Sequence, residues 1–164
     1  MAHDNHTGRI LYIEDDTALT FLMKRILSRA GYDVDIANDG GTGLLMYESK
    51  IYDVLLVDNK LPTMTGLEIL RRLNHDLDNR IPIIILTADS DEELVSQALN
   101  LGASDFVIKD VEGTFTRLMP VTIKKVLHHH RFRKEKVVAE KKSILAASRF
   151  QNLVENISDI ICVV

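Results

Sequence analysis

VLLVD, residues 54–58, is a run of four apolar residues closed by an acid, and the fold follows from how it is read. An apolar stretch of this length without alternation suits a strand buried on both faces, as in a parallel sheet covered by helices. Similar runs stand at residues 10–13 (ILYI) and 83–86 (IIIL), with shorter ones at 34–36 and 106–108. Segments with helical spacing lie between them. Residues 17–30 carry Leu19, Leu22, Met23, Ile26 and Leu27 and close at Gly31, a C-cap signal. Residues 43–48 are a shorter candidate. Residues 66–73 place Leu67, Ile69, Leu70 and Leu73 largely on one side, and residues 92–101 close at Gly102. Strands alternating with helices at this spacing predict an α/β, doubly wound domain with a five-stranded parallel sheet.

The bulk composition narrows the function classes. A hydrophobic fraction of 46% and a charged fraction of 27% are those of a globular chain rather than a disordered one. A net charge of −4 argues against a basic nucleic-acid binder, although Lys and Arg gather between residues 124 and 142. Cys162 is the sole cysteine, so no internal disulfide forms, which fits a reducing cytoplasm. Residues 1–8 are polar, without the apolar core of a signal peptide, and read as a disordered N-terminus. No apolar run approaches the roughly 18 residues of a membrane span. The expectation is a cytoplasmic protein with no membrane and no nucleic-acid contact.

The last helix is predicted to begin between Thr116 and Met119, because Pro120 is best tolerated in a first turn. It continues without a break to about Phe150, longer than one layer of such a domain needs. Heptad positions Ile123, Val126, His130, Arg133, Val137, Glu140, Ile144 and Ala147 are half apolar. They fit a polar coiled coil, with a solvated charged helix as the plainer alternative. His128, His129 and His130 are consecutive and do not share a helix face, so they read as part of that basic helix rather than a metal site.

In a doubly wound sheet, ligands bind outside the carboxyl ends of the strands. There the first strand ends in Glu14-Asp15-Asp16, the third in Asp58, the fourth in Thr87, and Lys109 follows the fifth. Asp16 is placed to cap the first helix. Carboxylates crowded without partners repel one another, and a hard divalent cation relieves that cost. Oxygen ligands with spare water positions suit magnesium.

These residues converge on a family. The segments ILYIEDD (10–16) and DNKLPTMTG (58–66), with Thr87-Ala88 and Lys109, resemble the receiver domains of two-component response regulators over residues 9–131. The resemblance implies a flavodoxin-like fold of strand order 2-1-3-4-5, with the C-terminal helix extended. It implies that Asp58 accepts a phosphoryl group from a histidine kinase or phosphotransfer protein, as a regulatory phosphoacceptor rather than an ordinary enzyme. Asp15, Asp58 and the Lys60 backbone carbonyl would hold Mg2+, with Glu14 acting through water. Lys109 would pair with a phosphoryl oxygen, Thr87 would move to meet the phosphoryl group, and Phe106 would turn inward behind it. Lys60 and Asp89 flank the site and are candidates for setting the phosphate lifetime.

One position departs from the pattern. Receivers commonly carry proline after the lysine, often behind a cis bond, and this chain has Asp110. A cis bond before a non-proline costs about 2.5–4 kcal/mol, so a trans Lys109–Asp110 bond and a reshaped loop are expected. From residue 148 the chain resembles the opening helix and first strand of a PAS domain. The expected organisation is 9–118 receiver, 119–147 helical linker and 148–164 the start of a PAS-like domain, with output domains beyond. Pairing of the long helix predicts a homodimer. Alternatives are a degenerate receiver serving as a dimerisation module and a flavodoxin-like ligand binder, which would want a glycine-rich phosphate loop where residues 14–17 are acidic. A magnesium-dependent aspartyl phosphatase would carry its nucleophile on the first strand rather than the third.

Overall fold

The uninterrupted apolar runs form strands whose side chains face two separate core layers. The computed structural model describes residues 7–73, 80–88 and 92–161. The elements are β1 (Gly8–Ile13), α1 (Thr17–Arg29), β2 (Tyr32–Ala37), α2 (Gly40–Ser49) and β3 (Val54–Asp58). They continue as α3 (Gly66–Leu73), β4 (Ile83–Thr87), α4 (Glu92–Asn100), β5 (Asp105–Ile108) and α5 (Thr114–Ile161). The strands form one parallel sheet in the order β2-β1-β3-β4-β5, as expected.

Alternation along each strand sorts the core. Ile10, Tyr12, Val54, Leu56, Ile84 and Leu86 share a layer with Met23 and Leu27 of α1 and with Phe115, Met119 and Ile123 of α5. Leu11, Ile13, Leu55, Val57, Ile83 and Ile85 face the other way, toward Leu67, Ile69 and Leu70 of α3 and Ala98 of α4. Burying a side chain of this size contributes roughly 1.5–3 kcal/mol, and β3 and β4 are buried along their whole length.

The helix ends follow local chemistry. Asp16 caps α1 as expected, its carboxylate accepting from the amides of Ala18 (2.9 Å) and Leu19 (3.0 Å), a cap worth about 1 kcal/mol. Gly31 and Gly102, after α1 and α4, adopt positive φ (90° and 86°), which a side chain would resist. α2 starts at Gly40, earlier than the expected residue 43, because Asp39 accepts from the Thr42 amide at 2.9 Å and stabilises a helix start through two glycines.

α5 also begins earlier than expected. The Asp110 carboxylate accepts from the amides of Thr114 (3.0 Å) and Phe115 (2.9 Å), satisfying donors that a helix start leaves open. Pro120 therefore sits inside the helix rather than in its first turn. At its other end α5 continues through Ile161, past the expected end near residue 150. Cys162 lies outside the described residues.

Chain contacts divide the molecule into Met1–Leu127 and His128–Val164. The first unit holds the sheet and the buried residues of α5 up to Val126 and Leu127. In the second, α5 carries an exposed surface of mixed charged, polar and apolar residues, with Phe132, Val138, Ile144 and Phe150 among the apolar ones. Among the described residues, no helix is long and apolar enough to cross a membrane.

Candidate functional site

Glu14 and Asp58 stand level with each other at the carboxyl edge of the sheet, because β1 and β3 pair with Ile13 opposite Val57. Here the strand order reverses between β1 and β3, the place where such sheets open a crevice. Both acids are buried, at 1% and 4% exposure, while Asp15 beside them is exposed. Carboxylate oxygens of Glu14, Asp15 and Asp58 lie within 4.8 Å of one another.

Lys109 joins this cluster from β5. Its ammonium lies 2.6 Å from Glu14 Oε2 and 2.7 Å from Asp58 Oδ1. Period-2 alternation explains the meeting, since Val107 belongs to the α1/α5 layer and Lys109, two residues on, points the same way. Burial of Asp58 raises its pKa above the ordinary aspartate range. The Lys109 hydrogen bond opposes that rise and the Glu14 charge adds to it. For Lys109 burial works toward a lower value, but the hydrogen bonds to Asp58 and Glu14 outweigh it and the pKa is raised. The ammonium therefore stays charged between two carboxylates.

Thr87 and Phe106 occupy the opposite side of the sheet. Thr87 is fully buried and follows Ile83 and Ile85 in alternation, and Phe106, opposite Ile85, packs partly buried against the α3/α4 layer. The Thr87 carbonyl accepts from the Lys109 amide at 2.7 Å, so the two residues share a backbone link while their side chains point apart. The Lys109–Asp110 bond is trans, none of the described peptide bonds being cis, and Asp110 serves as the α5 cap. Asp89 lies outside the described residues. Lys60 is exposed and is bridged to Thr65 across the loop after Asp58.

That loop is shaped by signals the sequence reading passed over. Thr65 and Glu68 form a reciprocal cap on α3: Glu68 Oε2 accepts from the Thr65 amide at 2.6 Å, and Thr65 Oγ1 accepts from the Glu68 amide at 3.2 Å. The spacing T-x-x-E could have revealed it. The cap seats Gly66 against the end of β3, where a Cβ would meet the Asp58 carbonyl oxygen at 2.8 Å and Asn59 Cα at 3.0 Å. Asn59 fastens the turn, accepting from the amides of Gly66 (3.1 Å, carbonyl) and Leu67 (3.3 Å, Oδ1).

Tyr12 was also missed. It reads as core in a buried strand, yet its hydroxyl donates to Glu14 Oε2 at 2.9 Å. Burial, then the Glu14 charge and hydrogen bond, push its pKa well above the ordinary tyrosine range. The signal was its position two residues before Glu14, which in a strand means the same face.

The donor set fits a divalent cation. Three carboxylates against one ammonium leave two negative charges, and an all-oxygen donor set suits a hard ion such as magnesium.

Comparison with known proteins gives one family throughout. A family model described as the response regulator receiver domain matches residues 10–119. The response regulator ArlR of Staphylococcus saprophyticus is 38% identical over 112 residues, spanning 67% of this chain and 50% of that protein. The transcriptional regulatory protein ZraR of Escherichia coli K12 is 32% identical over 130 residues, spanning 79% of this chain but 28% of that protein. The chain thus spans half or less of these relatives' length. Among solved structures, a CheY-like receiver domain protein from Methanospirillum hungatei superposes with a TM-score of 0.68 at 34% identity, covering 76% of this chain and 97% of that one. The response regulator TrrA of Thermotoga maritima, solved in complex with Mg2+-BeF, gives 0.63 at 27% identity, covering 73% of this chain and 99% of that one.

Proposed function

The chain belongs to the response regulator receiver domain family, and from that premise we propose that Asp58 is its phosphoryl acceptor. The observation that carries this reading is the Lys109 ammonium placed 2.7 Å from Asp58 Oδ1 at the rim of a buried strand. Receivers of this family act as regulatory phosphoacceptors supplied by histidine kinases. The donor proposed for this chain is accordingly the phosphohistidine of a kinase or a phosphotransfer protein.

An Asp58 carboxylate oxygen attacks phosphorus, forming an O–P bond as the P–N bond breaks. The electron pair stays on the imidazole nitrogen, which then takes a proton from water. Lys109 shifts from the carboxylates to a phosphoryl oxygen, where its charge meets the charge that develops during transfer. Thr87 turns its hydroxyl toward the new group, and Phe106 fills the space behind it. Phe106 has no hydroxyl, so this coupling rests on packing. Asp15, Asp58 and the Lys60 carbonyl, with Glu14 through water, are the residues that would hold Mg2+, which when bound neutralises phosphoryl charge. The Mg2+-BeF complex of TrrA supports the same ion here.

The second unit is proposed to pair with its copy in a parallel coiled coil. Val137 and Ile144, one heptad apart and both exposed, support this. Sedimentation with and without beryllofluoride tests it: a monomer in both states rules pairing out. The phosphoacceptor itself is tested by labelling with acetyl phosphate. The wild type takes up one phosphoryl group and Asp58→Asn takes up none, whereas undiminished labelling of the variant overturns the assignment.

A further inference from the structure

Tyr12 is wholly buried in the layer shared with Phe115 and Met119 of α5, in a strand whose other inward residues are aliphatic. A buried hydroxyl is costly unless bonded, and the partner of this one is a carboxylate of the acidic pocket. Tyr12 Oη donates to Glu14 Oε2 at 2.9 Å, the same oxygen that accepts from Lys109 at 2.6 Å. The other oxygen, Oε1, accepts a long bond from the Asp16 amide, 3.3 Å.

Glutamate has a longer and more flexible side chain than aspartate, so a glutamate that serves a cation must be held. In the resting pocket Lys109 does much of this. Once Lys109 turns to a phosphoryl oxygen, the donors that the structure places on Glu14 are the Tyr12 hydroxyl and the Asp16 amide. The phenol ring is fixed by the core around it, so its hydroxyl is a rigid donor rather than a mobile one.

We propose that Tyr12 is a positioning residue for divalent-cation binding, its hydroxyl holding Glu14 in the orientation that serves the ion carried by Asp15 and Asp58. The proposal rests on the magnesium-dependent phosphoacceptor reading above.

Calorimetric titration of the full chain with MgCl2 tests it, comparing wild type, Tyr12→Phe, Glu14→Ala and the double variant. Tyr12→Phe keeps the ring and removes only the hydroxyl. It is expected to weaken Mg2+ binding about fivefold, which is about 1 kcal/mol. In the Glu14→Ala background the same change is expected to have no further effect, which a merely structural role of Tyr12 would not produce. Unchanged affinity in Tyr12→Phe, or an equal loss with Glu14 already removed, overturns the proposal. A wild type that does not bind Mg2+ defeats the parent reading and this one together, so the two failures are distinguishable. Should Tyr12→Phe not fold, the tyrosine difference spectrum of the wild type on Mg2+ addition decides. A perturbation abolished in Glu14→Ala supports the proposal, and no perturbation overturns it.

Discussion

Lys109 Nζ lies 2.7 Å from Asp58 Oδ1, so the acceptor proposed for the phosphoryl group is held by an ion pair before any donor arrives. The pair is largely shielded, with 15% of the Lys109 side chain and 5% of the Asp58 side chain exposed, and β3 and β5, which place its partners, are separated in the sheet by β4. Its geometry therefore depends on the register of three strands.

Removing the ammonium should leave Glu14 and Asp58 as neighbouring buried acids. Breaking a buried pair on one side costs about 3–5 kcal/mol, because the remaining charge is left without compensation. Lys109→Ala is therefore expected to lower unfolding stability by about 3 kcal/mol in Mg2+-free urea titrations. A change below about 1 kcal/mol would show that solvent reaches the carboxylates freely.

The pH dependence at Asp58 has a definite sign. Burial first, and the Glu14 charge with it, raise the folded-state pKa despite the Lys109 hydrogen bond. A raised carboxyl holds its proton more tightly in the folded state. Its stabilising contribution is full below the ordinary aspartate value and is lost as pH rises through the folded value. At neutral pH the ionised group is a burden, and Asp58→Asn should melt higher than wild type in chelator. That gap should close as the pH is lowered toward the ordinary aspartate range, and a gap that widens on acidification contradicts the assignment.

Mg2+ should stabilise the fold by mass action. At a hundredfold excess over Kd the gain is about 2.7 kcal/mol. Thermal unfolding with and without MgCl2 should show the shift in wild type and little of it in Asp15→Asn. An equal shift in both would place the ion elsewhere.

Gly66 has no room for a side chain. Its Cβ would meet the Asp58 carbonyl oxygen at 2.8 Å, and the obstacle is backbone rather than a movable side chain. Gly66→Ala is expected to cost about 1–3 kcal/mol and to slow acetyl phosphate labelling by shifting Asp58. Wild-type stability and labelling together would mean that the loop gives way without disturbing β3.

The acids of the site were legible because each closes an apolar strand. Asp58 after VLLV and Glu14 after ILYI can lie only at the carboxyl edge once the strands are parallel. The start of α5 was misplaced because Pro120 was weighed as a start signal, while the Asp110 carboxylate caps the helix nearer its true beginning. Tyr12 was hidden because an aromatic in a buried strand counts as packing, and only its hydroxyl contact with Glu14 shows more.

From the amino-acid order alone came the number of strands, their two-faced burial and the residue types at their ends, since periodicity and polarity are local properties. Tertiary structure alone decided that Lys109 reaches both Glu14 and Asp58, and that Thr87 and Phe106 lie on the other face. Those relations join residues up to 95 positions apart. They depend on strand order and register, where a slip of one residue would turn each side chain to the opposite face.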